Sequence, residues 1–209
     1  DEGFLEPNEI HEDLAIPAEP FTRQELHAAL KQTAEGKSAG CDEIHAEVLK
    51  QCNVNDVLLT IVNKAFEGDI PNSWHISNII PLPKSGDLTQ TTNYRGISLN
   101  CIPSKVYNRL LLNRIRPQIE PFLRNNQNGF RPGRSTVTQI MALRRLIEGI
   151  RDKQLPAAIV FVDFRKAFDS VKREKIGHIL RAYGVPRKIV TAIMNMYRNT
   201  RAKVTTTDG

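Results

Sequence analysis

A run of apolar residues around one carboxylate, residues 158–164, constrains the fold of this chain more than any other segment. Asp163 is the only charged side chain in the run, and its neighbours are alanine, aliphatic and phenylalanine residues. Such a composition is typical of a strand buried on both faces of a sheet. An ionised carboxylate is costly in such a place unless it is paired or binds a metal ion. The segment therefore predicts a buried strand whose terminal aspartate is either a liability or a metal ligand.

Composition narrows the class of protein further. The 209 residues are 40% hydrophobic and 25% charged, which is typical of a globular domain. No apolar run approaches the roughly 18 residues that a membrane span needs, and the acidic N-terminus resembles no secretory signal. The three cysteines show no C-x-x-C spacing, so we expect neither a disulfide framework nor a zinc site, and a reducing intracellular compartment. Because Asp1 is the first residue instead of a methionine, we expect a piece of a longer translation product.

The charges are divided unevenly along the chain. Residues 1–72 have a net charge of −10, and residues 73–209 have a net charge of +16. A basic block of this kind favours binding of a polyanion, although a solvated basic surface is the alternative. We predict an acidic linker over residues 1–20, a helical lead-in over 21–72, and a larger α+β region over 73–209.

Local signals predict the order of the elements. Thr22 and Glu25 form a capping box that begins a helix, Asp42 caps a helix over 43–51, and a third helix spans 54–66. Ile76–Lys84 is predicted to be an edge strand or a hairpin arm because it contains two prolines, and 94–99 is its partner across a turn at Ser85–Asp87. Further helices are predicted from Ser104 toward Pro117, from Ser135 or Thr136 onward, over about 171–183, and over about 187–200. The loop 36–42 contains G-K-S but lacks the earlier glycine of a phosphate-binding loop, since position 31 is lysine.

Four patterns occur in a fixed order: PLPKSGD at 81–87, NYRGISL at 93–99, QNGFRPGRST at 127–136 and FVDFRKAFDSV at 161–171. The helix KVYNRLLLNRI at 105–115 lies between the second and the third. Over roughly residues 70–209 the chain resembles the reverse transcriptase domain of non-LTR (LINE-type) retrotransposons more than that of group II intron maturases. The resemblance implies an incomplete right-hand polymerase fold, with a fingers hairpin and part of the palm sheet with packed helices, ending at the first catalytic motif.

The resemblance also implies roles for individual residues. Asp163 becomes a catalytic carboxylate and a ligand of Mg²⁺, with the backbone carbonyl of Phe164 as a neighbouring ligand, in a site for two metal ions. Phe168 packs beneath the nucleotide sugar and excludes a ribose 2′-hydroxyl. Asp169 caps the following helix together with Ser170 and is a poor second ligand.

Basic and glycine-rich residues complete the implied site. Lys84 and Arg95 flank the hairpin and would bind the phosphates of the incoming nucleotide. The third pattern would lie beside the template strand, where arginines suit phosphates and glycines allow close approach. Its template-binding candidates are Gln127, Gly129, Phe130, Arg131 and Arg134.

The function implied is an RNA-directed DNA polymerase that uses an RNA template, a DNA primer, deoxynucleoside triphosphates and Mg²⁺, without a membrane, in the nucleus and cytoplasm. The later motifs of the family, with the remaining catalytic carboxylates, do not occur within the 209 residues, so we expect the piece alone to be inactive. The alternative is a non-catalytic nucleic-acid-binding relic. A phosphatase-like enzyme with an aspartate nucleophile ranks last, because it needs a second aspartate where Arg165 stands.

Overall fold

The computed structural model describes residues 12–164 and 166–205, and of Cys52 only the backbone. The first half of the predicted acidic linker, residues 1–11, lies outside the described residues. Two compact units are present: the first runs to Gln118 and resumes at Arg173, and the second is Ile119–Lys172. The predicted division into linker, lead-in and polymerase region stays a prediction. The described residues form seven α-helices and three strands: α1 Arg23–Lys31, α2 Ala46–Leu49, α3 Asn55–Phe66, β1 Ile76–Pro83, β2 Tyr94–Leu99, α4 Ile102–Ile119, α5 Thr136–Asp152, α6 Arg173–Ala182, α7 Arg187–Asn195 and β3 Arg201–Val204.

The sheet of the first unit has the order β2-β1-β3. β1 and β2 form the predicted antiparallel hairpin, in which Leu82 pairs with Arg95. β3 pairs with β1 in parallel, but only along Ile76–Ile79. β1 is therefore a hairpin arm, one of the two predicted alternatives, and its first half is central in the sheet instead of at an edge. Pro81 and Pro83 lie beyond the β3 segment, where the missing amide hydrogens leave no bond to β3 unmade.

An aromatic cluster lies at the centre of the first unit. The ring of Phe21 lies 5.0 Å from Phe66 and 6.1 Å from Tyr107, and Trp74 lies 5.6 Å from Tyr107. Burial raises the pKa of Tyr107, whose hydroxyl donates to the carbonyl oxygen of Ala65 at 3.5 Å. The cluster joins the start of α1 to α3 and α4, so the lead-in helices share one core with the helix that follows the hairpin.

The segment 12–20 has no helix or strand, yet it lies against this core. Ile16 is 5% exposed, and the backbone N–H of Leu14 donates to Gly184 at 2.7 Å. The guanidinium of Arg114 on α4 donates to carbonyl oxygens of this segment and forms a 2.6 Å ion pair with Glu25 of α1. The buried Arg114 thus anchors the segment 12–20 to α4.

The second unit has one α-helix among its described residues. None of the residues of α5 is buried, although Ile140, Leu143, Ile147 and Ile150 were predicted to face inward. The apolar stripe itself is present, with Ile140 at 65% exposure. The spacing of the stripe is a local property, whereas burial needs a partner that the described part of this unit does not supply.

The predicted strand around Asp163 is wrong for the described chain. Residues 155–164 have no strand assignment, and the side chain of Val160 is 82% exposed. A strand exists only where its backbone pairs with another, and one buried on both faces also needs a packed layer on each side. Among the described residues of the second unit, no segment pairs with 155–164.

Two predicted helix starts and one predicted cap are also wrong, and each has a local reason. The helix expected at Ser104 begins at Ile102, because a proline is favoured in a first turn and residue 103 is proline. The helix expected at 43–51 is limited to α2, since Glu43 has a φ of 56° and cannot be helical. Asp169 and Ser170 do not cap α6, which begins at Arg173 after a turn in which Lys166 has a φ of 51°.

Other local predictions are confirmed. Thr22 and Glu25 make both bonds of the capping box, and α3 and α7 begin within one residue of the predicted positions. Gly184 ends the α6 region with a φ of 81°. Of the helices in residues 12–164 and 166–205, none is long and apolar enough to cross a membrane.

Candidate functional site

The β1–β2 hairpin carries the two predicted phosphate-binding cations. The backbone N–H of Lys84 donates to Asn93 at 2.7 Å, which continues the ladder one pair beyond Pro83 and Tyr94. Side chains alternate along a strand, so Lys84 lies on the same face as Leu82 and its partner Arg95. Both cations are exposed, and neither forms an ion pair with a described residue. The structure therefore brings Lys84 and Arg95 together on one open face.

The connection between the two strands is ordered by its own polar groups. The backbone N–H and the hydroxyl of Thr89 donate to Asp87 at 2.9 and 2.8 Å and hold the pKa of that carboxyl below its usual 3.8. The side-chain amide of Asn93 donates to the carbonyl oxygen of Asp87 at 2.7 Å. Gly86 has a φ of 116°, which favours glycine at this position. These bonds define the loop that follows Lys84.

Asp163 lies in the second unit, in the segment 155–164, which has no helix or strand. Its side chain is exposed, as are those of Phe161 and Phe164 at 80% and 74%. The low-dielectric surroundings expected for this carboxylate are therefore not formed by the described residues. Lys84 and Arg95 belong to the first unit, whereas Asp163 and Phe168 belong to the second.

Two predicted site residues meet inside the second unit. The rings of Phe130 and Phe168 form an edge-to-face pair with a centroid distance of 5.8 Å and an interplanar angle of 81°. Both rings are otherwise open, at 88% and 78% exposure, and Phe130 has a φ of 60°. A bulky residue at positive φ is uncommon and marks a constrained turn. The contact links the third sequence pattern to the fourth, a pairing that neither pattern indicates alone.

Arg131 is held within the turn that follows α4. Its side chain is 6% exposed and forms a 2.7 Å ion pair with Glu120, and it donates to the carbonyl oxygens of Arg124 and Gln127 at 2.8 and 3.2 Å. Its Nε atom also donates to Glu120 at 2.8 Å. All three side-chain nitrogens of Arg131 are therefore used in these contacts. Arg131 therefore stabilises the turn, and its template role stays a prediction.

The remaining template candidates are more open. Arg134 is exposed, and its side chain donates one long bond, 3.4 Å, to the carbonyl oxygen of Asn125. Gly129 has no heavy atom within 4 Å of the place where a side chain would begin. The open faces of Gly129, Phe130 and Arg134 can therefore accept a nucleotide backbone or a base without displacing a neighbour.

The carboxylate of Asp163 and the backbone carbonyl of Phe164 are the types of oxygen atom that bind a hard cation. A carboxylate and a backbone carbonyl are the oxygen ligands that Mg²⁺ prefers. Within residues 12–164 and 166–205, no group of three or more histidine, cysteine, aspartate or glutamate side chains is placed to hold a metal ion. Asp163 can thus supply one ligand of a metal site.

A polar cleft of about 360 Å³ in the first unit was not indicated by any sequence pattern. Arg173 lies in its wall, donates to the hydroxyl of Thr200 at 3.0 Å and has its guanidinium carbon 5.6 Å from the centre of the Tyr197 ring. The Nδ1 atom of His75 is shielded from solvent and has no partner among the described residues. The lining comes from segments far apart in sequence, so no local signal could have identified it.

Comparison with known proteins agrees with the motifs. Residues 82–209, more than half of the chain, match the family model described as reverse transcriptase (RNA-dependent DNA polymerase). The chain is 29% identical, over 88% of its length, to the "Probable RNA-directed DNA polymerase from transposon BS" of Drosophila melanogaster, of which it spans 22%. It is 27% identical over 88% of its length to the "Transposon TX1 uncharacterized 149 kDa protein" of Xenopus laevis, of which it spans 14%.

A third relative is the Pol polyprotein from the type-1 retrotransposable element R2 of Popillia japonica. The identity is 26% over 79% of the chain and 23% of the relative. The chain thus spans less than a quarter of each of these three relatives. The resemblance predicted from the four motifs is confirmed: this chain belongs to the reverse transcriptase family, in the branch of the non-LTR retrotransposons.

Proposed function

We propose that this chain is part of an RNA-directed DNA polymerase that extends a DNA primer along an RNA template with deoxynucleoside triphosphates. The family match over residues 82–209 carries the proposal. The relatives named as RNA-directed DNA polymerase and Pol polyprotein support it. An intracellular setting, in the nucleus and the cytoplasm, is part of the same proposal.

The hairpin would bind the triphosphate. Lys84 and Arg95 share one exposed face, and no described carboxylate competes for their charges. A nucleotide's phosphate groups gain negative charge on their bridging and leaving oxygens as the bond breaks, and paired cations stabilise that charge. The location of both residues on a two-stranded hairpin would allow them to approach the nucleotide together.

Asp163 would hold Mg²⁺, with the Phe164 carbonyl beside it. Bound in a pair about 3.5–4 Å apart, such ions stabilise the attacking and leaving oxygens of the transfer. Phe168, five residues further on, would lie against the sugar, and its edge contact with Phe130 would fix the ring's position. Phe130 would thereby couple the template turn to sugar selection.

We further infer that the 209 residues alone do not extend a primer. Two ions need more hard ligands than one carboxylate and one carbonyl can supply, even when substrate phosphates contribute. Groups that act as one catalytic unit lose nearly all their effect when one member is missing. Purified protein of this sequence should therefore give no Mg²⁺-dependent extension, and extension that Asp163→Asn abolishes would refute this inference.

The main test uses the full open reading frame that contains this chain. Asp163→Asn should reduce primer extension roughly a thousandfold or more, while binding of a template–primer duplex stays within about twofold. Asp169→Asn is the matched control, an exposed aspartate six residues away, and it should retain activity within a few-fold. Full activity of Asp163→Asn would refute the assignment of this carboxylate.

The rival function is nucleic-acid binding without chemistry. The net charge of +16 over residues 73–209 favours it. It predicts that the full-length protein binds RNA with a steep salt dependence, shows no primer extension, and is indifferent to Asp163→Asn. Primer extension by the wild-type protein would exclude this rival.

A further inference from the structure

Two cysteines that are sixty residues apart in sequence meet at the base of the hairpin. The Sγ atoms of Cys41 and Cys101 lie 3.6 Å apart. Each of these sulfurs also lies 3.3 Å from the carbonyl oxygen of Ser73, three residues before β1 begins. Cys101 comes two residues after β2 ends and is fully buried, whereas Cys41 is half-buried in the loop before α2.

The backbone around the pair is in direct contact. A Cβ atom placed on Gly40 would lie 2.4 Å from the backbone nitrogen of Cys101 and 2.6 Å from its Cα. No side chain therefore separates the two segments. The sulfurs need to approach by only about 1.5 Å to reach the bond length of a disulfide, about 2.05 Å.

We propose that Cys41 and Cys101 form a reversible disulfide with a low-molecular-weight disulfide as the oxidant. The bond joins the loop before α2 to the start of α4, at the base of the hairpin where β1 begins and β2 ends. Under reducing conditions the pair remains as two thiols that fill space beside the carbonyl of Ser73. The hairpin base then exists in a tied and an untied form.

The chemistry balances as two successive exchanges. The thiolate of Cys41 attacks one sulfur of the oxidant, the oxidant's own S–S bond breaks, and one small thiolate leaves. The thiolate of Cys101 then attacks Sγ of Cys41 in the mixed disulfide, and the second small thiolate leaves. The protein loses two electrons and two protons, and these end on two molecules of the small thiol.

Accessibility decides the order of the two steps. Cys41 is partly open to solvent, whereas Cys101 has no exposed surface. Burial, the hydrogen bond with the Cys41 thiol and the charge of Asp42 together raise the pKa of Cys101 to about 12. Cys101 is therefore the slower nucleophile, and it reacts once the Cys41 sulfur beside it is activated.

The test treats the purified protein with glutathione disulfide and counts free thiols after denaturation. The wild type starts with three thiols per chain, and we expect one to remain after oxidation, with a peptide that joins Cys41 to Cys101 in the mass spectrum. Cys52→Ser is the matched control, and it should lose both of its thiols. Cys41→Ala and Cys101→Ala should form no internal bridge.

Thermal unfolding provides a second readout. Closure of a sixty-residue loop constrains the unfolded chain, so the midpoint of the oxidised wild type should lie about 5 °C or more above that of the reduced protein. The same shift is expected for Cys52→Ser and none for Cys41→Ala. Three remaining thiols after oxidation, or a bridge that includes Cys52, would overturn the proposal. Neither readout depends on polymerase activity.

Discussion

Replacement of Arg114 by alanine should destabilise the first unit by about 3–4 kcal/mol. The guanidinium is 5% exposed at the side chain and forms an ion pair with Glu25 through Nε at 2.6 Å and Nη2 at 3.0 Å. It also donates to the carbonyl oxygens of Pro17, Glu19 and Pro20 at 3.0, 2.7 and 3.3 Å. Its carbon atom Cζ lies 4.2 Å from the centre of the Phe21 ring.

The magnitude follows from what the alanine variant leaves behind. Removal of one partner of a buried ion pair costs about 3–5 kcal/mol, because the other charge remains buried without compensation. The Glu25 side chain is 31% exposed, so water recovers part of that cost and the lower half of the range applies. Arg114→Lys keeps a charge but loses the planar fork, and we expect a loss of about 2 kcal/mol.

Urea unfolding followed by tryptophan fluorescence measures the effect. Trp74 is the one tryptophan of the chain, is 7% exposed and lies 5.6 Å from Tyr107 in the same aromatic cluster. Arg23→Ala is the matched control, because Arg23 forms an ion pair with Asp56 that is exposed at both ends, 74% and 64%. That variant should lose no more than about 0.5 kcal/mol.

The reasoning would be refuted by a loss below about 1 kcal/mol for Arg114→Ala, or by equal losses in the two alanine variants. Either result would mean that water forms hydrogen bonds with Glu25 and with the carbonyl oxygens of the segment 12–20 as well as the arginine does. Limited proteolysis gives an independent check: cleavage within residues 12–20 should become faster in Arg114→Ala and stay unchanged in Arg23→Ala.

Three further predictions concern other parts of the first unit. Burial raises the pKa of Glu25, but bonds from Arg114 and Thr22 outweigh it and hold that pKa below 4.5; the stability that depends on this carboxylate is present above about pH 4.5 and lost as the pH falls through the lowered value, so the unfolding free energies of wild type and Glu25→Gln should differ at neutral pH and approach each other as the carboxylate is protonated. Gly40→Ala should lower the unfolding free energy by at least about 2 kcal/mol, because its Cβ would overlap backbone atoms; a smaller loss would show that the loop can move away. Lys84→Ala with Arg95→Ala should raise the KM for deoxynucleotides at least about tenfold in the full-length protein, with an unchanged melting temperature because both side chains are exposed; an unchanged KM would remove both from the nucleotide site.

Local structure was largely readable from the sequence. The capping box of Thr22 and Glu25 and the helix end at Gly184 depend on residues within a few positions of one another. The hairpin of β1 and β2 joins two neighbouring segments of the chain. Short-range steric and hydrogen-bonding preferences determine such features, so one segment carries the whole signal. The errors at Ser104 and Glu43 arose where a neighbouring proline or a positive φ shifted the helix start by a few residues.

The family could be recognised for a related reason. A motif such as NYRGISL or FVDFRKAFDSV combines residue types whose chemistry is specific. The motifs and their order along the chain can be read from the sequence without knowing which residues are in contact. The match over residues 82–209 confirms that recognition. The match does not extend to the roles of individual residues. Lys84 and Asp163 belong to separate units, and their roles stay predictions.

What the sequence by itself determined is the set of local elements, the charge asymmetry and the family. Only the tertiary structure decided which distant groups meet. Arg114 reads as one more basic residue of a helix, yet its partners lie about ninety residues away and bury it. Cys41 and Cys101 show no recognisable spacing but come within 3.6 Å, and the apolar run around Asp163 remains exposed because no described strand pairs with it. Contacts of this range depend on how whole segments pack, and local preferences carry no information about that.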